Sequence, residues 1–87
     1  MSRIARMQEL LASLQPSHIE IIDDSSQHAG HAGNTSGAGH YRLHIVSTCF
    51  SGLNILARQR MIYSVLGEMM QHEIHALSIN ALPPEQI

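Results

Sequence analysis

The sequence predicts an α+β fold in which helices cover one face of a three-stranded mixed sheet. Two segments place apolar residues at helical spacing, and three others are β-branched or alternate between apolar and polar side chains. Their order is helix, strand, strand, helix, helix, strand. The first two strands can pair antiparallel, and the helical crossover permits a parallel pairing of the third. At 87 residues, the chain is predicted to form one domain, 1–87.

The first helix and first strand are separated by a proline. The helix has one apolar stripe, formed by Ile4, Met7, Leu10, Leu11 and Leu14. Ser2 is its expected N-cap, and Pro16 is expected to stop it. The isoleucine-rich run 18–23 then favours a strand because β-branched side chains pack well on a pleated surface.

Residues 25–40 form a segment of sixteen residues in which no side chain is more apolar than alanine. Such a segment cannot bury enough apolar surface to offset the cost of ordering its backbone, and its four glycines add to that cost. We therefore predict a flexible loop between the first two strands. The loop carries His28, His31 and His40, so metal or proton chemistry is the first functional question.

The second and third strands are predicted at 41–48 and 73–81. Alternation in the second strand places Tyr41, Leu43 and Ile45 on one face and Arg42, His44 and Val46 on the other. In the third strand, alternation places His75 on the same face as Leu77 and Ile79. Pro83 and Pro84 are expected to end it.

Between these strands we predict a short helical turn at 53–58 and a longer helix at 59–71. Gly67 lies inside the longer helix, and close packing is its expected reason. The predicted core draws on one apolar face of every element. It comprises Leu10, Leu14, Ile21, Leu43, Ile45, Ile62, Leu66, Leu77 and Ile79.

Composition excludes several classes of protein. The five basic residues are all arginine, and together with seven acidic residues they give a formal charge of −2. Nucleic-acid binders usually carry an excess of basic residues, so this charge does not favour that function. Cys49 is the single cysteine, so neither an intrachain disulfide nor a four-thiolate cluster site can form. The sequence shows no membrane span and no apolar secretory leader, and we expect a cytoplasmic protein that does not bind membranes.

Histidines are the side chains with the clearest chemical potential. His75 on the third strand could meet His28 or His31 from the loop, and neutral imidazole binds zinc, copper and iron. Two imidazoles leave a coordination shell incomplete, so other ligands would be needed. The alternatives remain open: His75 satisfied by a backbone hydrogen bond, and loop histidines that are only solvated. His40 and His44 are interpreted as surface or sheet-edge residues.

Other chemistries have weaker support. Arg58 and Arg60, interpreted as lying on the outer face of the longer helix, could contact phosphate together with Arg42. However, the segment 51–54 lacks the second glycine of the Gly-x-x-Gly loop of nucleic-acid-binding KH domains. No serine, cysteine or acid suggests a catalytic triad or a carboxylate pair, so we predict no enzyme.

Several of these segments together resemble the BolA family, from the first strand to Pro84. The matching motifs are Phe50-x-Gly52-Leu53, Arg58-x-Arg60-Met61-Ile62-Tyr63, Ile74-His75-Ala76-Leu77-Ser78-Ile79, the repeated His-Ala-Gly at 28–33, and His40-Tyr41-Arg42. The His-Ala-Leu strand and the Arg-x-Arg helix start are specific in combination. One departure is Gln59, where the family commonly has histidine.

The resemblance implies a KH-like (type II) α-β-β-α-α-β fold and a role in iron–sulfur cluster assembly and trafficking. The chain would act as an adaptor that shares a [2Fe–2S] cluster with a monothiol glutaredoxin in a heterodimer. His75 would be one ligand and a loop histidine the other, His31 first and His28 next. The partner's cysteine and glutathione would supply thiolates, as two-histidine clusters allow. The isolated chain is expected to be a monomer with no tightly bound cofactor.

Two other functions stay open. Some members of the family are described as DNA-binding regulators, so the alternative is a transcriptional regulator that uses the KH-like face with Arg42, Arg58 and Arg60. A third interpretation is a zinc or copper binder that needs no protein partner.

Overall fold

The secondary structure follows the predicted order. A computed structural model describes residues 2–25 and 39–87. Short 3₁₀ turns cover Ala12–Leu14, Thr48–Phe50 and Pro84–Gln86. The main elements are α1 (Arg3–Leu11), β1 (His18–Asp23), β2 (Gly39–Val46), α2 (Ile55–Leu66), α3 (Met69–His72) and β3 (Ile74–Leu82). Within the described ranges, no helix has the length and apolar character needed to cross a bilayer.

The sheet has the predicted mixed topology, with strand order β1-β2-β3. β1 pairs antiparallel with β2, so that Ile21 lies opposite Leu43. β2 pairs parallel with β3, so that Leu43 also lies opposite Ile79. Because side chains directly opposite one another share a face, these residues line one side of the sheet. The predicted antiparallel pairing of the first two strands and the predicted parallel pairing of the third strand are both confirmed.

The core lies between this face and the helices. Its buried members are Met7, Leu11, Tyr41, Leu43, Ile45, Phe50, Ile62, Leu66, Met69 and Ile74. Four predicted core residues are fully buried, and Leu14, Ile21, Leu77 and Ile79 pack at its margin. The prediction for Leu10 is wrong because the buried line of α1 runs through Met7 and Leu11, four residues apart, which leaves Leu10 39% exposed.

Hydrogen bonds at the helix ends set where the helices begin and stop. Ser2 caps α1 as predicted, since its Oγ accepts from the Ala5 N–H at 3.1 Å. Asn54 caps α2 in the same way, with Oδ1 accepting from the Ala57 N–H at 2.8 Å. α2 therefore starts at Ile55 without a break at 59, and the predicted separate turn at 53–58 is wrong.

Gly67 ends α2, so the predicted helix 59–71 is also wrong. Its φ of +55° lies in the region that favours glycine, and its N–H donates to the Tyr63 carbonyl. A Cβ added there would meet no atom closer than 3.9 Å, so close packing does not explain this glycine. The chain then forms the short helix α3 before β3 begins at Ile74.

Candidate metal site on the open face of the sheet

The helices leave the second face of the sheet uncovered. We call this surface the open face. Its side chains follow from the cross-strand register and from the alternation of burial along each strand. They are His18, Glu20 and Ile22 from β1, His40, Arg42 and His44 from β2, and Ala76, Ser78 and Asn80 from β3. Most of them are polar, and they include three of the chain's histidines.

His75 reaches this surface through an irregularity in β3. Gly39 lies opposite Ile74 and His40 opposite Ala76, so β3 has one extra residue in this interval. Ile74 stays buried, whereas His75 is exposed. The prediction that His75 shares a face with Leu77 and Ile79 is therefore wrong, because the bulge resets the alternation after Ile74.

The bulge brings His75 beside His40. Their ring centroids are 4.9 Å apart and the ring planes are inclined by 41°. Two imidazoles bound to one tetrahedral metal ion have centroids roughly 5 Å apart, given metal–nitrogen bonds of about 2 Å. The two rings are therefore spaced as two ligands of one ion would be. The interpretation of His40 as a mere surface residue missed this contact.

The backbone of His40 is fixed where segment 26–38 joins the sheet. Its N–H donates to Ser25 Oγ at 3.0 Å, and its carbonyl accepts from the Asp24 N–H at 2.7 Å. Ser25 also hydrogen-bonds Asp23 through its side chain and its N–H, and these bonds lower the pKa of the Asp23 carboxyl. The residues that flank the segment on its two sides are thus tied together beside the histidine pair.

Gly39 is a second residue that the sequence analysis missed. Its N–H donates to the Glu73 carbonyl at 3.0 Å, next to the start of β3. A Cβ at this position would lie 2.6 Å from the ring of Tyr41, which is buried. Glycine therefore lets the tyrosine ring close over the strand immediately before His40. The signal in the sequence was a glycine directly before an alternating strand.

The described residues supply only part of a metal coordination shell. No group of three or more histidine, cysteine or acidic side chains able to hold a metal ion occurs within 2–25 and 39–87. Cys49 is half-buried and packs against the core, as expected of a small apolar residue. The predicted ligands His28 and His31 lie outside the described residues. A shared ion would therefore need ligands beyond His40 and His75.

The three arginines proposed for phosphate contact do not form one surface. Arg58 is only 7% exposed, and its guanidinium donates to the carbonyls of Leu53 and Ala81 and to the Gln86 side chain. The prediction that Arg58 lies on the outer face of its helix is therefore wrong. Arg42 forms an ion pair with Asp24 on the open face, whereas Arg60 is exposed on α2 at the covered side.

The fold and the open face define a small KH-like α+β domain with a histidine pair beside the β1–β2 connection. A family model described as "BolA-like protein" matches residues 10–86, so the chain belongs to the BolA family. The BolA domain of SufE1 from Arabidopsis thaliana has a similar structure, with a TM-score of 0.87 and 40% identity, covering 100% of this chain and 98% of that one.

Two sequence relatives illustrate the range of the family. Protein BOLA1, chloroplastic, of Arabidopsis thaliana is 40% identical over 89 residues, which cover 98% of this chain and 56% of that protein. The DNA-binding transcriptional regulator BolA of Escherichia coli is 38% identical over 73 residues, covering 84% of this chain and 67% of the regulator. The chain thus spans about half the length of the plant relative. Because that relative is named chloroplastic, a cytoplasmic location stays a prediction.

Proposed function

We propose that this chain is an adaptor in iron–sulfur cluster assembly and trafficking that co-ligates a [2Fe–2S] cluster with a monothiol glutaredoxin. The observation that carries the proposal is the pairing of His75 with His40, two imidazoles spaced for one ion beside the histidine-rich segment. Family membership supports it through the resemblance set out above. No catalytic step is assigned to the chain.

His75 is the first proposed ligand because it is exposed on a paired strand at the edge of the open face. The second is an imidazole of segment 25–40: His31 first and His28 next, as the resemblance implies. His40 becomes a third candidate because its ring lies 4.9 Å from that of His75. The glutaredoxin cysteine and glutathione would provide the two thiolates that complete the four ligands.

The donor set fits this cluster better than a closed zinc site. The described residues offer paired imidazoles without a nearby third ligand, and clusters with two imidazoles on one iron are known. Neutral imidazole in place of thiolate makes the bound cluster less negative and raises its reduction potential. Because imidazole binds metal only when deprotonated, the shared complex should weaken below about pH 6.

Reconstitution with a partner tests the proposal. The chain and a monothiol glutaredoxin are mixed with iron, sulfide and glutathione, and the visible absorption and circular dichroism spectra are compared with those of glutaredoxin alone. We expect a distinct spectrum that His75→Ala abolishes. His31→Ala, His28→Ala and His40→Ala, measured separately, identify the second ligand by the same loss.

His72→Ala is the matched control, since His72 is an exposed histidine that ends α3. It should leave the mixed spectrum unchanged. If the mixture gives the spectrum of glutaredoxin alone, the adaptor proposal fails. If His75→Ala leaves the mixed spectrum intact, the ligand assignment fails.

DNA binding is the second candidate because the Escherichia coli relative carries that name. The chain's charge of −2 and the engaged guanidiniums of Arg58 and Arg42 weigh against it. A regulator would bind duplex DNA tightly and with a steep salt dependence, because each neutralised phosphate releases counterions. Affinity no better than non-specific at low salt would exclude this function.

A further inference from the structure

The open face carries a second histidine pair, which lies between β1 and β2, whereas the first pair lies between β2 and β3. His18 on β1 and His44 on β2 have ring centroids 5.4 Å apart, with ring planes inclined by 62°. His18 is exposed and His44 half-exposed, so solvent reaches both rings. Their strands pair antiparallel, with Glu20 directly opposite His44. The cluster hypothesis makes no use of these two imidazoles.

We infer that His18 and His44 form a separate binding site for a divalent transition-metal ion of the Zn²⁺ or Cu²⁺ class. Their separation matches the roughly 5 Å expected for two imidazoles on one tetrahedral ion. His44 lies four residues beyond His40 on β2, which is roughly 13 Å along a strand. The two histidine pairs therefore bind different ions.

Asn80 orients His44 for this role. The amide nitrogen Nδ2 of Asn80 lies 2.9 Å from His44 Nδ1, in a contact between β3 and β2. The amide turned over by 180° has nearly the same shape and places Oδ1 at this position, where it accepts the Nδ1–H and leaves Nε2 unprotonated for the metal. Metal-binding histidines commonly have such a partner on the second ring nitrogen.

The charges around the pair also favour a cation. Glu20 lies opposite His44, and Arg42, the nearest basic residue on β2, is ion-paired with Asp24. Glu20, Arg42, His44 and Asn80 line the same small cavity of about 180 Å³ on the open face. No third histidine, cysteine or acid among the described residues completes the ligand set, so water fills the remaining positions. Such a site is weak and exchanges its ion readily.

The site exists only in the folded chain, because the register of β1 on β2 brings the two rings together. A ligand that binds the folded state and not the unfolded state raises the unfolding midpoint. Zn²⁺ is therefore the probe, and the full-length chain with His28→Ala, His31→Ala, His40→Ala and His75→Ala is the background, which removes all the proposed cluster ligands. We expect a saturable rise in the urea midpoint of this background with added Zn²⁺.

His18→Ala and His44→Ala, each added to that background, should lower the Zn²⁺ affinity by more than about tenfold. His72→Ala in the same background is the control and should leave the affinity unchanged. Asn80→Ala should weaken Zn²⁺ binding while leaving the metal-free urea midpoint unchanged, a split that a purely structural role would not produce. Equal affinity with and without His44 overturns the proposal.

A second measurement uses the unsubstituted chain. Substoichiometric Cu²⁺ should broaden the backbone amide signals of His18, Glu20 and His44 in a ¹⁵N–¹H correlation spectrum. Broadening confined to residues around His40 and His75 would mean that His18 and His44 only stack on each other. This result would overturn the site while leaving the cluster proposal standing, so the two can fail separately.

Discussion

The two faces of β2 are built for different purposes. Tyr41, Leu43 and Ile45 point towards the helices and are at most 5% exposed. The residues of β2 on the open face, His40, Arg42 and His44, are polar, and the two histidines each contact an imidazole on a neighbouring strand. One strand therefore supplies both the centre of the core and the candidate ligands. Substitutions on the open face can change binding without endangering the fold, because stability depends on the covered face.

The largest expected effect comes from opening a cavity on the covered face. Leu43 is 2% exposed and lies in the middle of the sheet, opposite Ile21 on one side and Ile79 on the other. Leu43→Ala removes buried contacts that the surrounding residues cannot fully restore. We expect the free energy of unfolding to fall by about 3–4 kcal/mol, measured by urea denaturation.

Ile22→Ala on the open face is the matched control. It also shortens an aliphatic side chain in the sheet, but Ile22 is 45% exposed. The expected loss is below about 1 kcal/mol. Equal losses for Leu43→Ala and Ile22→Ala would show that the open face is covered in solution, and the comparison of the two faces would fail.

Periodicity predicted most of the covered side. Helical spacing and β-branched runs identified the elements, and four predicted core residues are fully buried. The predicted helix boundaries are wrong where local hydrogen bonds and backbone conformation, rather than apolar spacing, decide where a helix begins or ends. Asn54 starts α2 earlier than its apolar spacing suggests, and the positive φ of Gly67 ends it earlier. Neither a cap nor a φ angle is visible in hydrophobic spacing alone.

The site was less predictable from the sequence than the core. Alternation correctly places Arg42 and His44 on the polar side of β2, but pairing across strands depends on register. The bulge that exposes His75 arises from one extra residue between Ile74 and Ala76, and no residue type in this segment predicts it. The contact between His40 and His75 could therefore be recognised only once the strands were aligned.

The second prediction compares two arginines on opposite sides of the sheet. The buried guanidinium of Arg58 links the start of α2 to the end of β3 and to Gln86. Arg58→Ala leaves the carbonyls of Leu53 and Ala81 without this donor. We expect a loss of roughly 2–3 kcal/mol in the free energy of unfolding.

Arg42→Ala is its control on the open face. The Arg42 side chain is 57% exposed, and its ion pair with Asp24 is screened by water, so the loss should stay below about 1 kcal/mol. Added salt should shrink this smaller loss and leave the loss from Arg58→Ala nearly unchanged. An Arg58→Ala variant as stable as the Arg42→Ala variant would contradict a structural role for Arg58.

The smallest expected effect concerns Asp23 and Ser25, beside the His40 pair. Hydrogen bonds from the Ser25 side chain and backbone lower the pKa of Asp23 below its ordinary 3.8. The charged carboxylate therefore stabilises the fold above about pH 4, and this contribution is lost as the pH falls through the lowered pKa. Ser25→Ala should raise the pKa of Asp23, measured by the titration of its carboxyl carbon signal. Stability above pH 4 should fall slightly because Asp23 is exposed. An unchanged pKa in Ser25→Ala would mean that Ser25 does not hold Asp23, and that the end of the open face nearest His40 is less ordered than its hydrogen bonds indicate.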